Sequence, residues 1–202
     1  MESQLLLPAF YLPPVSYFHA IKESENSLIL DRFEHYPKQT YRTRTKIGTA
    51  NGVLELFVPI VHGRKEHVAM KDVRINYEFD WQRLHWLSIQ TAYRSSAFFE
   101  FYEDDFATFY NQKYTHLFDF NVQQLELILK CLKIEREINF TEVYQKVEIG
   151  VDYRNVIHPK KPSIRPEEKP YFQVFQDKNG FLDNLSIVDL LFNQGPQSKS
   201  YL

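Results

Sequence analysis

The sequence predicts a mixed α and β protein, a central sheet with a β-hairpin excursion and helices packed around it. Three observations carry that reading. Leu5-Leu6-Leu7 and Leu28-Ile29-Leu30 are short apolar runs on either side of Val15, Phe18 and Ile21, which recur at helical spacing, as in a β-α-β unit. Asn51-Gly52 is a tight-turn dipeptide between two alternating segments within residues 34 to 60, the pattern of a hairpin. Apolar residues then recur at helical spacing from residue 81 to residue 132.

Taken in order, Leu5 to Leu7 reads as a buried strand that runs into Pro8, and Pro13-Pro14 bends the chain because proline fixes φ and restricts its predecessor. Pro14 opens a helix over residues 14 to 22, and residues 28 to 31 return as a second strand. If the two strands are parallel, Tyr11 and Asp31 share the carboxyl edge, where ligands sit in open α/β sheets; the plainer alternative is a packed tyrosine and a turn-capping aspartate.

In the hairpin, side chains alternate between faces. Arg42, Arg44 and Lys46 then form a basic stripe at roughly 6–7 Å spacing, opposite Tyr41, Thr43, Thr45 and Ile47. Leu54, Leu56, Val58 and Ile60 line the return strand. Such a stripe suits phosphate or carboxylate, and equally suits a solvated edge kept soluble by charge.

Val68 to Ile75 alternates as a further strand, and Asp80 stands as N-cap of a helix from Trp81 to Arg94. Apolar side chains lie nearly all round that helix, which predicts burial on most sides, with His85 embedded among aromatics. Residues 98 to 118 read as one or two packed aromatic helices, and Val122, Leu125, Ile128, Leu129 and Leu132 as an amphipathic one carrying Cys131. The proline-rich, basic stretch 152–170 reads as an extended loop, either a mobile lid or a connector. Tyr171 to Phe175 reads as a strand, Asp177 to Gly180 as a turn, and Ser186-Ile-Val-Asp189 as a capping box opening a last helix that Gly195-Pro196 stops.

Composition narrows function. The 202 residues, 44% hydrophobic and 16% aromatic, support one compact domain over 1–202. A net charge of −2 gives no electrostatic footprint for nucleic acid. Cys131 is the one cysteine, so no intrachain disulfide or thiolate zinc site forms, and the reducing cytoplasm fits best. No export signal and no apolar run of about 18 residues is present, which argues against membrane insertion. With 6 glycines there is no Gly-rich phosphate loop and no Gly-x-Ser-x-Gly elbow. The 7 histidines are scattered, none spaced as a helical metal pair, so neither a metal nor a cofactor is expected.

Several segments together resemble the WbqC-like family: Tyr11-Leu-Pro-Pro-Val-Ser-Tyr17-Phe18, Glu34 through Gln39-Thr-Tyr-Arg42-Thr-Arg44, Asn51-Gly52 with Val58-Pro59, Trp81 through His85-Trp86 and Ala92-Tyr93, and Asn184 through Asn193. The resemblance covers nearly the whole chain. The chain departs from it at Leu7-Pro8-Ala9-Phe10, where many members carry Gln-Pro and then His or Tyr, and at Arg42-Thr43-Arg44, where Arg-Asn-Arg is more usual.

The resemblance implies a place in O-antigen or other surface polysaccharide biosynthesis, and a glycine or related acyl transfer onto a nucleotide-linked amino sugar. On that reading Arg42, Arg44 and Lys46 hold a pyrophosphate, Asp31 and Gln39 are further substrate-binding residues, Tyr11 and Tyr17 pack on sugar or base, and His85 or His35 takes the proton from the attacking amine. Asn184 or Asn193 donates to the developing oxyanion. The alternative is a non-catalytic protein that reads the same ligand or docks a partner in polysaccharide assembly, which the lack of a nucleophile motif favours. An α/β domain with purely structural arginines is the third.

Overall fold

Residues 4–25, 27–61, 67–144, 150–165 and 168–202 are described by the computed structural model. The chain is mixed α and β, with a four-stranded parallel sheet, a separate two-stranded antiparallel sheet and helices around them. The β-α-β opening is present: β1 (Gln4–Leu7), α1 (Val15–Glu23) and β2 (Ser27–Leu30), with Leu5 opposite Leu28 and Leu7 opposite Leu30 in parallel register. Leu5, Leu7, Leu28 and Leu30 are all buried, as the apolar runs of a covered parallel sheet should be.

Two further strands lengthen this sheet. β5 (Ile138–Phe140) pairs with β2 and β6 (Gly150–Asp152) pairs with β1, giving the order β5-β2-β1-β6. Each has three residues, too short for period-two patterning to mark it in the sequence. The path leaves β1 toward β2 and β5, then returns to lay β6 on the other side of β1. The direction of winding therefore reverses between β1 and β6, the point where open α/β sheets place their ligands.

The hairpin comprises β3 (Arg44–Thr49) and β4 (Gly52–Phe57), with Thr49 paired to Gly52 across the turn. Gly52 has φ of 94°, the left-handed conformation that Asn-Gly turns require. β4 is largely exposed: Leu54 is 39% accessible, whereas Leu56 and Val58 are buried. Thr45 Oγ1 ties β3 inward by donating to the Leu12 carbonyl (2.7 Å), which also accepts Ser186 Oγ (3.0 Å), while the Ser186 amide donates to the Lys46 carbonyl of β3 (2.8 Å). Leu12 itself has φ of 40°, a strained value for a leucine that these two hydroxyls help hold.

The helices are α2 (Trp81–Tyr93), α3 (Phe99–Asn111), α4 (Leu117–Cys131), a single turn α5 (Gln176–Asn179) and α6 (Ile187–Gln194). Phe192 of α6 stands at the centre of the aromatic core, its ring 5.2–6.4 Å from those of Tyr93, Phe99, Tyr102 and Phe106. Gly195 ends α6 at φ of 52°, and a side chain there would strike the Phe98 ring.

Four expectations are corrected. Residues 68 to 75 are not a strand: Met70–Asp72 form a 3-10 turn flanked by isolated bridges, because Met70 is wholly buried while the Met70 and Lys71 amides reach the Glu34 and Arg32 carbonyls. Residues 171 to 175 form no strand, since Tyr171 and Gln173 turn inward to bond the Asp189 carboxylate. α2 is buried on one face, leaving Leu84 and Leu87 half exposed. Asp80 occupies the N-cap position without a capping bond, its carboxylate taking Arg83 instead, whereas the Ser186 hydroxyl does accept the Val188 amide. Residues 153–165 carry no helix or strand, as expected of the proline-rich loop; Pro166 lies outside the described residues.

Candidate functional site

Because all four strands of the larger sheet are parallel, the loops that follow them leave from one edge. Those loops supply a cluster of buried charge. Asp31, directly after β2, is wholly buried; its Oδ1 accepts the Phe33 and Glu34 amides and the Thr141 hydroxyl (2.9 Å), and its Oδ2 takes Arg154 Nη1 at 2.5 Å. Thr141 follows β5. Arg154 follows β6 and also forks onto Asp152, through Nε (3.0 Å) and Nη2 (2.7 Å). A second pair lies beside the first: Arg42 donates Nε to Glu34 Oε1 at 2.6 Å and Nη2 to Glu34 Oε2 at 2.5 Å, and reaches the Arg154 carbonyl at 3.1 Å.

Glu34, Arg42 and Arg154 are 5%, 1% and 7% accessible, so with Asp31 four charges sit out of water, and Asp152 is partly exposed beside them. Burial pushes the Glu34 carboxyl up, with Arg42 pulling against it. For Asp152, burial acts upward but the hydrogen bonds and charge of Arg154 prevail and hold it low. Aromatic rings cover the cluster: Arg154 lies 5.3 Å from the centre of the Tyr144 ring, which stacks on His35 (6.1 Å), itself stacked on His67 (4.9 Å). Buried, paired charge at the winding reversal of a parallel sheet marks a functional-site candidate.

The WbqC-like protein family model matches residues 9–159, a span that holds the whole cluster. This chain belongs to the WbqC-like protein family. An uncharacterized protein of Mycobacterium tuberculosis, Rv1507c, is 26% identical over 228 residues, an alignment covering 100% of this chain and 98% of the relative. No solved structure matches.

In this WbqC-like chain the residues singled out by sequence fall into three places. Asp31, His35, Gln39 and Arg42 meet at the carboxyl edge, where exposed Gln39 accepts Lys160 Nζ (2.8 Å) and so ties the proline-rich loop to the segment before the hairpin. Tyr11 and His85 meet in the adjoining core. The Tyr11 hydroxyl lies 2.9 Å from both His85 Nδ1 and the Tyr110 hydroxyl, and the His85 ring also bonds the Phe57 backbone. One assignment satisfies all four groups: Tyr110 donates to Tyr11, Tyr11 to Nδ1, and Nε2 to the Phe57 carbonyl. Burial drives the His85 pKa down to about 4, so this imidazole is a neutral, fully bonded core group. Tyr17 is buried too, donating to the Pro8 carbonyl.

The third group lies along the hairpin and α6. Arg44 pairs with Glu55 at 3.0 Å, and Lys46 is half buried. Arg42, by contrast, precedes β3 and points into the protein, so the three cations form no continuous stripe; strand alternation applies only from Arg44 onward. Asn184, at φ of 49°, accepts the Ser16 amide through Oδ1 (3.1 Å) and so caps α1 from a distant segment. Asn193 is buried and donates to the Asp189 carbonyl one turn back.

Sequence reasoning missed Glu34, Thr141, Asp152 and Arg154 as site members. Glu34 and Arg42 are joined by a segment that is neither helix nor strand, so no period relates them, and Thr141 follows, and Asp152 ends, a strand too short to read. It also missed Asp189, whose buried carboxylate accepts Tyr171 (2.9 Å) and Gln173 (3.1 Å), and which burial raises to about 6. Cys131 is half buried, its thiol pushed up to about 11 by burial, which leaves little thiolate at neutral pH. Among the described residues no group of three or more His, Cys, Asp or Glu is placed to hold a metal ion, and no helix is long and apolar enough to cross a membrane.

Proposed function

We propose that this chain is a transferase of surface polysaccharide biosynthesis, binding a nucleotide-linked amino sugar at the carboxyl edge of the parallel sheet and passing an acyl or aminoacyl group to its amine. The observation that carries the reading is the convergence of the loops after β2, β5 and β6 on Asp31, Arg154, Asp152, Glu34 and Arg42. The cluster makes a rigid, oriented floor, since each carboxylate and guanidinium is held by another. Arg42 and Glu34 act as positioning residues, fixing the Arg154 backbone rather than meeting ligand.

In the transfer step the sugar nitrogen attacks the acyl carbonyl carbon, a carbon–nitrogen bond forms, the bond to the donor's leaving group breaks, and the amine proton passes to a base. His35, exposed at this edge, suits that role better than His85, whose two nitrogens are already bonded. A specific observation favours a second reading, a non-catalytic binder of the same ligand: the His85 imidazole is taken up by the core and the Cys131 thiol is not activated.

The test is thermal unfolding against 2-amino and 4-amino nucleotide sugars, plain nucleotide sugars and free nucleotides. A ligand at about 100 times its dissociation constant adds about 2.7 kcal/mol, a rise of roughly 5–10 °C for this size. A shift confined to amino forms supports the reading, and a flat panel overturns it. Product formation from acyl and aminoacyl donors, lost in His35→Gln, separates the transferase from the binder.

A further inference from the structure

A cleft of about 390 Å³ opens at the carboxyl ends of β2 and β5, between α4 and the turn at Met70–Asp72. Its size lies in the range of about 300–1,000 Å³ common to small-molecule sites. Arg32 and Lys71 are on one side, Asp119 and Glu126 on α4 are on the other, and Phe118 and Phe140 make an apolar base, their rings edge to face at 5.8 Å.

Both cations lie against one ring: the Arg32 guanidinium is 5.5 Å and the Lys71 ammonium 4.9 Å from the centre of Phe33. Two like charges held beside one ring repel unless an anion joins them. Their protein partners leave that place open. Among the described residues the Arg32 side chain spends only Nε, on the Thr141 carbonyl (2.9 Å), and Lys71 has a loose ion pair with exposed Asp72 at 3.8 Å. Opposite, Asp119 and Glu126 are exposed and two helical turns apart on one face, with the His116 ring 3.7 Å from Asp119. The cleft is joined to the buried cluster, since Thr141 bonds both Arg32 and Asp31.

We infer that this cleft is the subsite for the sugar phosphate end of the ligand: Arg32 and Lys71 hold the phosphate, Asp119 and Glu126 hold the amine as the ammonium in which it binds, which must lose one proton to a base before its nitrogen attacks, and the Phe118–Phe140 base carries the apolar face of the sugar. The inference rests on the proposed function for the sugar, and on the cleft itself for an anion and an ammonium at opposite ends of one small molecule. A free amino acid has the same two charges, and the experiment separates the two sources.

Binding is measured by calorimetry with glucosamine 1-phosphate, glucose 1-phosphate, glucosamine, glycine and UDP-glucosamine, on the full chain and on two variants. Arg32→Gln with Lys71→Gln should weaken both sugar phosphates about tenfold to hundredfold, the value of one or two charge-assisted bonds. Asp119→Asn with Glu126→Gln should reduce glucosamine 1-phosphate to the level of glucose 1-phosphate and leave the latter unchanged. Unliganded unfolding midpoints equal to that of the parent show that the variants fold, and Lys71→Gln alone, at an exposed position, gives a second measure of the anion half. Glucosamine 1-phosphate bound equally by all proteins, or by none, overturns the subsite, as does glycine competing at the same place. UDP-glucosamine bound equally by all proteins overturns the subsite while sparing the proposed function. Cleft-dependent binding of glucosamine 1-phosphate with no gain from the nucleotide overturns the nucleotide reading and keeps the subsite.

Discussion

The two ends of the parallel sheet treat charge in opposite ways. At the carboxyl edge Asp31, Glu34, Arg42 and Arg154 are buried and bonded to one another. At the amino edge Lys22, Lys133, Arg136 and Lys199 line a shallow cleft of about 480 Å³, and those with bonds spend them on backbone carbonyls: Lys22 on Lys199 (2.9 Å), Lys199 on Lys133 (3.0 Å), Arg136 on Ser24. Cations on the carbonyls at helix ends are ordinary capping, worth a few tenths of a kcal/mol in water. Removing four charged groups from water is costly and is seldom the cheapest way to stabilise a fold. The contrast is what makes the carboxyl edge the candidate site.

The largest expected effect tests that contrast directly. Arg42→Met leaves the Glu34 carboxylate buried without its partner, and should lower stability by about 3–5 kcal/mol, a fall of roughly 10 °C in the midpoint. Glu34→Leu combined with Arg42→Met removes both charges and should recover most of that loss, because apolar replacements of a whole buried pair are often neutral. Denaturant unfolding of the two singles and the double gives the coupling. Additive losses would mean the pair is solvated, and the contrast between the edges would fail.

A smaller effect concerns the loop after β1, which carries Tyr11 to His85. Burial lowers the His85 pKa from 6.5 to about 4, so between those values the unfolded chain binds a proton that the folded chain refuses. Stability from this group is therefore present above about pH 6.5 and is lost as pH falls toward about 4, amounting to about 2 kcal/mol at pH 5. His19, similarly lowered by burial to about 4, adds in the same sense. Asp189 and Glu168, raised by burial to about 6 and about 7, act the other way: each favours the fold at low pH and loses that contribution as pH rises through its value. His85→Asn keeps an acceptor for Tyr11 and removes one titration. The stability gap between variant and parent should accordingly shrink by about 2 kcal/mol from pH 7.5 to pH 5, and a gap of constant size would show that the imidazole is not held neutral.

What the sequence revealed follows the reach of its rules. Periodic segments such as Val15 to Ile21 and Val122 to Leu132 were legible because helical spacing repeats within them, and the Asn51-Gly52 turn because one dipeptide decides it. β5 and β6 were not, since three residues contain no period. The same limit hid most of the site. Asp31 was reached through the strand before it, but Arg154 is 123 positions away from it and only the pairing of β6 with β1 brings them together. Arg42 was noticed for its charge and given the wrong direction, because alternation was extended two residues beyond the strand that enforces it. His85 shows the converse: an embedded histidine looks catalytic or structural alike until its two nitrogens are seen to be bonded.

The smallest effect belongs to the amino edge and gives the comparison its baseline. Lys22 is exposed and bonds two carbonyls, those of Lys199 and Leu202, at 2.9 and 2.5 Å. Water can satisfy both carbonyls when the ammonium is removed, and methionine keeps most of the methylene stem. Lys22→Met should thus cost less than about 1 kcal/mol, and should leave binding of every ligand in the panel unchanged. Raising the salt to 0.5 M should shrink even that difference, because exposed charge is screened within a few ångströms, while the Arg42→Met loss persists. A salt-insensitive loss of several kcal/mol for Lys22→Met would place buried electrostatics at both ends of the sheet, and the carboxyl edge would no longer stand apart.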